Sequence, residues 1–145
     1  MSTFASINIA LKQPASSIKI IQILLNYGWT FNDEGKVSYL PIGDDDNFDW
    51  QHEKIAVESL MKILEKKEQG KEALGVIMTW GETSIGGAFL FWQNGKILIS
   101  LIINRKTFLS ESMFEITDVN WYLSKLLPAF NQDNFFIESF SYEES

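Results

Sequence analysis

Three apolar segments separated by turn residues constrain the fold of this chain more than any other feature. They cover residues 74–80, 88–93 and 96–104, with a glycine-rich loop between the first two and Asn94-Gly95 between the last two. Asn-Gly favours the type I′ turn of a two-residue hairpin, because both central residues of that turn have positive φ. Residues 97–103 are apolar almost without alternation, which predicts a central strand covered on both faces. The sequence therefore predicts a three-stranded antiparallel meander.

Helical and extended patterns flank this meander on both sides. Before it we expect a strand at 4–10, a helix from a Ser16 or Ser17 cap to residue 26, a hairpin of 29–32 with 36–42, and a helix over 50–69 capped by Asp49. After it we expect a helix at about 118–130, ending or kinking before Pro128, and a strand at 135–142. These elements predict an α+β fold: a single domain of residues 1–145, whose antiparallel sheet has a central meander packed against two to three helices.

Composition supports a packed core and excludes thiol chemistry. With 145 residues, 46% of them hydrophobic, the chain has the size and apolar content of one domain. The absence of cysteine excludes disulfides, thiol catalysis and thiolate metal sites. The first twelve residues lack the pattern of a signal peptide, and no apolar run approaches the roughly 20 residues that span a bilayer. We therefore expect a cytoplasmic protein.

Negative charge is concentrated in two places. The net charge is −7, and residues 107–145 contain seven acids and one base. A second group of acids occupies the loop at Asp44, Asp45, Asp46 and Asp49. Such a distribution disfavours direct binding to nucleic acid or an anionic membrane, because phosphates are bound by clustered Lys and Arg. The one cluster of lysines, at residues 62–71, alternates with glutamates and predicts a solvated helix face. Acids collected in this way suggest a basic partner.

No combination of residues predicts a reaction, a cofactor site or a metal site. His52 is the only histidine and has no second histidine at the spacing of a zinc helix, so we place it in the first turn of its helix. The Asp44–Asp49 loop resembles a calcium loop, but Trp50 and Ala56 stand where Gly and Glu are needed. The 81–87 loop lacks the lysine and the spacing of a phosphate-binding loop. We expect no enzyme activity, no cofactor and no metal.

Aromatic residues near the end of the chain alternate with acids. Phe135, Phe136, Phe140 and Tyr142 lie among Asp133, Glu138, Glu143 and Glu144. These rings could belong to the core, or they could anchor a protein partner while the carboxylates orient it. The acidic loop has the same two interpretations, a solvated loop or a contact patch.

Several segments together resemble the small cytoplasmic immunity proteins of bacterial polymorphic toxin systems, including contact-dependent growth inhibition. The segments that carry the resemblance are Asn26-Tyr27-Gly28-Trp29-Thr30, residues 35–41, Asp49-Trp50, Gly86-Gly87, Asn104-Arg105-Lys106 and residues 117–123. The resemblance covers residues 18 to about 142. It implies a non-enzymatic protein that binds a cognate toxin domain, often a nuclease, and blocks its active site or substrate surface.

The resemblance and the charge together give a set of expected contact residues. They are Asp44, Asp45, Asp46, Glu111, Glu115, Glu138, Tyr142, Glu143 and Glu144. An alternative is an acidic class I chaperone of type III secretion, which is similar in size, charge and mixed α/β composition. A small hydrolase is the competing interpretation among enzymes.

Overall fold

The computed structural model describes residues 4–109, 111, 114–132 and 134–145. The elements in chain order are β1 (Ala5–Leu11), α1 (Ser17–Tyr27), β2 (Trp29–Thr30), β3 (Val37–Tyr39), β4 (Gln51–Glu53), α2 (Val57–Gln69), β5 (Leu74–Trp80), β6 (Gly86–Phe91), β7 (Lys96–Ile103), β8 (Thr107–Leu109), β9 (Glu115–Thr117), α3 (Val119–Gln132) and β10 (Ile137–Glu144). Among these residues, no helix has the length and apolar character needed to cross a membrane.

The main sheet has eight strands, and its described pairings are antiparallel. The strand order is β10-β1-β7-β6-β5-β3-β4, with β2 also beside β5. β8 and β9 form a separate two-stranded hairpin, which we call the arm. The predicted meander is confirmed, since β5 pairs with β6 and β6 with β7. The fold is α+β, as predicted.

The helices bury one face of the sheet. Leu24 of α1, Leu60 of α2 and Leu126 of α3 share one core with Val76 and Phe89 of the meander. The opposite face is only partly covered, and on β7 Ile102 is 62% exposed. β7 lies between β1 and β6, so it is central, as predicted. The prediction that it is covered on both faces is wrong. Its burial alternates along the strand because the main core lies on one side, whereas the buried side chains of the other face, such as Ile77 and Leu90, belong to β5 and β6.

The predicted hairpin of residues 29–32 and 36–42 is also wrong. The turn forms, since Asp33 and Lys36 exchange two backbone hydrogen bonds, with Glu34 and Gly35 at positive φ between them. However, β2 and β3 both pair with β5, in the same direction. They form one interrupted strand along β5, and the turn projects from the gap between them.

The second helix begins later than predicted. Residues 51–53 form β4, which pairs with β3, and α2 begins at Val57. Asp49 cannot cap α2, because β4 lies between it and the start of the helix. The cap position is Ala56, whose side chain makes no cap hydrogen bond.

The third helix continues past Pro128 to Gln132, contrary to prediction. Ala129 and Phe130, which follow the proline, are almost fully buried. Their burial stabilises the last turn although Pro128 contributes no N–H donor. At the other side of the core, the indole N–H of Trp29 donates to the Lys125 carbonyl at 2.8 Å, which ties β2 to α3.

Candidate protein-binding edge

The acidic loop is organised around one buried carboxylate. Asp44 is 5% exposed, and its oxygens accept hydrogen bonds from the backbone N–H groups of Asn47 at 2.9 Å, Phe48 at 3.0 Å and Asp49 at 2.7 Å. Desolvation alone would raise the pKa of Asp44, but these N–H groups and the ammonium of Lys67 hold it below its ordinary value. Asp44 therefore closes the loop. This corrects the prediction that it is available to a partner.

A buried ammonium supports this loop from below. Lys67 is fully buried, and its Nζ donates to the carbonyls of Pro41 at 2.8 Å and Asp44 at 2.7 Å and to Glu72 Oε1 at 3.0 Å. The three contacts match the three N–H donors of an ammonium, so the buried charge is satisfied. The prediction that the lysines of α2 form a solvated face is therefore wrong at Lys67.

Two of the predicted loop contacts remain exposed. Asp45 accepts the Ala73 N–H at 2.6 Å through one oxygen, and Asp46 has no hydrogen bond or ion pair within the described residues. Phe48, between them and Asp49, is 46% exposed and has a φ of 56°. The loop thus presents carboxylates and one aromatic ring on a fixed backbone.

The remaining predicted acids lie on β10 and the arm. Glu138 and Glu143 on β10 are exposed, as are Glu111 and Glu115 of the arm. Glu144 is partly buried and accepts hydrogen bonds from the Thr117 backbone N–H at 3.3 Å and from the Tyr142 hydroxyl. The base of the arm therefore lies against the end of β10.

Tyr142 is a neutral donor in this group. Burial, followed by its hydrogen bond to the Glu144 carboxylate, raises the pKa of Tyr142 to about 12. The hydroxyl therefore keeps its proton at neutral pH and holds the Glu144 carboxylate in place. Tyr142 and Glu144 therefore have partners inside the molecule.

The two acidic segments are not adjacent. The acidic loop joins β3 to β4 at one edge of the sheet, and β10 is the opposite edge. With neighbouring strands about 4.8 Å apart, the five to six strand spacings from β10 to β3 and β4 make the separation roughly 24–29 Å. The predicted contact residues therefore form two patches, one at each edge of the sheet.

The β10 patch includes an unpaired strand edge. Phe4 and Ser145 exchange both backbone hydrogen bonds, which fixes the alternation along the β1–β10 ladder. The Asn8–Ser141 pair lies four residue pairs further along, an even number, so Ser141 also directs its N–H and C=O toward β1. Phe140 and Tyr142 direct theirs away from β1, and no described residue pairs with them. Two amides and two carbonyls thus line the outer side of β10.

The arm and β10 also carry exposed apolar side chains. Within the described residues they are Phe108, Leu109, Phe114 and Ile116 on the arm, with Phe136 just before β10 and Phe140 on it. The sequence patterns considered above predict no element at the arm. The sequence pattern of a hairpin is present there, since 107–109 and 114–117 are short runs of β-forming residues on either side of Ser and Glu.

A serine, a histidine and an aspartate meet at the other edge but lack the geometry of a catalytic triad. Ser38 Oγ donates to Asp33 Oδ2 at 2.7 Å and lies 2.5 Å from His52 Nδ1. Since the hydroxyl proton goes to Asp33, the imidazole must donate to Ser38. A triad requires the reverse, a histidine that accepts the serine proton. The cluster ties the Asp33–Lys36 turn to β4, and the placement of His52 on a helix is wrong.

Within the described ranges, no group of three His, Cys, Asp or Glu could hold a metal ion. Comparison with protein-family models, curated proteins and solved structures finds no match to this chain.

Proposed function

We propose that this chain is a cytoplasmic, non-enzymatic immunity protein that binds a basic toxin domain through β10 and the arm. The observation that carries the proposal is that both elements present exposed Phe side chains and exposed carboxylates, with the base of the arm against the end of β10. Aromatic groups supply binding area at protein interfaces, and charged groups at the rim set orientation and association rate. Toxin binding itself comes from the resemblance of the sequence to immunity proteins.

The charge supports a nuclease as the toxin. A nuclease presents Lys and Arg to hold phosphate, so an acidic inhibitor complements its substrate surface. Glu111, Glu115, Glu138 and Glu143 are exposed on the proposed surface and have the required sign. In this proposal they occupy the positions of nucleic-acid phosphates, and the aromatic side chains exclude water around them.

The test is rescue and binding with the toxin domain encoded beside this gene. We expect co-expression with this protein to restore growth and the two chains to co-purify. A double variant, Glu138→Lys with Glu143→Lys, should weaken binding by about tenfold or more, since it places cations opposite the basic surface.

The matched control changes the same net charge elsewhere. Glu58 and Glu65 are exposed on α2, away from β10, and Glu58→Lys with Glu65→Lys should leave rescue and affinity unchanged. Absence of both rescue and binding by the unmodified protein would rule out the proposed function. Equal losses from the two double variants would rule out the β10 surface.

A further inference from the structure

The open side of β10 is arranged to accept one more strand. Phe140 and Tyr142 direct their backbone N–H and C=O groups outward, and these groups have no partner in the described part of the chain. Their side chains lie on the helix side of the sheet, because they are opposite the core residues Ile9 and Ile7. A strand added here would form its hydrogen bonds with these two residues.

Charge disfavours a second copy of the chain as that strand. β10 carries Glu138, Glu143 and Glu144 and no basic residue. Pairing two copies would bring Glu138 and Glu143 of each, four carboxylates in all, to one seam to which β10 contributes no cation. Like charges across strands are destabilising, and acidic edge strands discourage self-association. The added strand must instead bring positive charge.

We propose that β10 pairs with an edge strand of the basic partner, one that carries Lys or Arg at alternate positions. The proposal rests on the proposed function and names its mode of recognition. Small residues favour this pairing on the face of the sheet away from the helices. There Ser139 and Ser141 leave room beside β10 for the long side chains of the partner strand. Glu143 lies on this same face and supplies the opposite charge.

Two further features favour this edge over the opposite one. β10 is eight residues long, whereas the other terminal strand, β4, has three. Phe140 is 38% exposed beside the outward amides, so a paired strand would also cover apolar surface. Main-chain hydrogen bonds would supply affinity, and alternate side chains would supply specificity.

A short peptide that alternates lysine and valine tests the pairing without the toxin. In the free protein, NMR-detected hydrogen exchange should be fast at the amides of Phe140 and Tyr142 and slow at those of Ser139 and Ser141. Peptide at about ten times its dissociation constant should slow exchange at Phe140 and Tyr142 by about tenfold, as expected for site occupancy. A peptide with glutamate in place of lysine should have no effect. Unchanged exchange with the lysine peptide overturns the inference.

The second experiment uses the toxin domain and a proline. Phe140→Pro removes an outward N–H but no hydrogen bond to β1, and Phe140→Ala removes the same ring while keeping the N–H. Circular dichroism should show both variants folded. The proline variant should bind the toxin domain about tenfold more weakly than the alanine variant, the cost of a hydrogen bond and the steric block beside it.

The outcomes separate the two proposals. Equal affinity of the two folded variants, with toxin binding intact, overturns strand pairing and leaves the proposed function standing. Failure of the unmodified protein to bind the toxin overturns the proposed function, and the peptide experiment still decides whether β10 accepts a basic strand. If Phe140→Pro unfolds the protein, exchange at Phe140 and Tyr142 in the toxin complex decides in its place, with no protection overturning the pairing.

Discussion

At the scale of single residues, the acidic loop shows that an aspartate in a charged loop can be a buried structural group. Asp44 and Lys67 are both buried, and between them they satisfy three backbone N–H groups and two backbone carbonyls. Breaking such an arrangement from one side leaves groups without partners. The first of the three consecutive aspartates is therefore structural, and only Asp45 and Asp46 are exposed for another role.

We predict that Asp44→Asn lowers the melting temperature markedly while Asp46→Asn leaves it nearly unchanged. Asp44 uses both carboxylate oxygens, so an amide would turn an NH₂ group toward the N–H of either Asp49 or its neighbours. Asp46 has no hydrogen bond within the described residues, so Asp46→Asn is the control that removes the same charge two positions away without removing a hydrogen bond. Thermal melts followed by circular dichroism at pH 7 measure both, and equal melting temperatures would contradict the structural role.

The pH dependence of this difference has a definite sign. The pKa of Asp44 is lower in the folded protein than its ordinary 3.8. Its contribution to stability is therefore complete above pH 3.8 and is lost as the pH falls through the lower folded value. The gap between the unmodified protein and Asp44→Asn should stay constant from pH 7 to about 5 and close below 3.8.

At the scale of elements, local signals predicted the structure where neighbours agreed with them. The turn signal at Asn94-Gly95 and its flanking apolar runs give a hairpin by themselves, and β6 and β7 follow. The predicted type I′ turn is wrong, however, because only Gly95 has positive φ and its N–H donates to the Trp92 carbonyl, which makes a three-residue loop of 93–95. The cap assigned to Asp49 extends the predicted helix over residues 50–56, but the Asp44 carboxylate fixes the backbone before them and β3 offers an open edge. β2 and β3 have a good turn between them, yet β5 supplies a longer partner for both. Long-range pairing decided these cases, and no short window of sequence contains it.

The unfilled cap of α2 gives the prediction at this scale. Ala56 has the extended backbone of a cap position, with φ −69° and ψ 150°, but no side-chain acceptor. Ala56→Asp should therefore stabilise the protein by about 1 kcal/mol, because its carboxylate can accept an N–H of the first turn. Urea unfolding measures the change.

Ala56→Glu separates capping from charge in the same experiment. Glutamate carries the same charge but is a poor cap, so it should give a smaller gain from the helix dipole alone. An aspartate variant no more stable than the glutamate variant would show that α2 gains nothing from a cap.

At the scale of the whole molecule, negative charge lies at both edges of the sheet. The sequence predicted which segments are acidic, and within the described residues Glu111, Glu115, Glu138 and Glu143 lie at the surface on elements that carry exposed aromatic rings. It could not predict that the sheet order separates them from the loop, because that order depends on β10 pairing with β1 from the far end of the chain. The burial of Lys67 and the outward amides of β10 were equally hidden, since both depend on tertiary partners.

This distribution predicts an association rate that depends on salt. If the partner is basic, adding salt should slow association by screening the charges, while dissociation changes less. Stopped-flow or surface plasmon resonance measurements with the neighbouring toxin domain would show this. The Glu138→Lys, Glu143→Lys protein should have a shallower salt dependence than the α2 control. An association rate independent of salt would contradict electrostatic steering.

The unequal ends of the sheet limit the stoichiometry of any assembly made by strand addition. One edge offers an eight-residue strand, and the other offers three residues. A unit with two long edges could link to the next on both sides and grow into a fibre. A molecule with one long edge strand can pair with one partner sheet and leaves no second long edge for another molecule. Each molecule would therefore terminate one partner in a discrete one-to-one complex, the behaviour that titration of an inhibitor against its target requires.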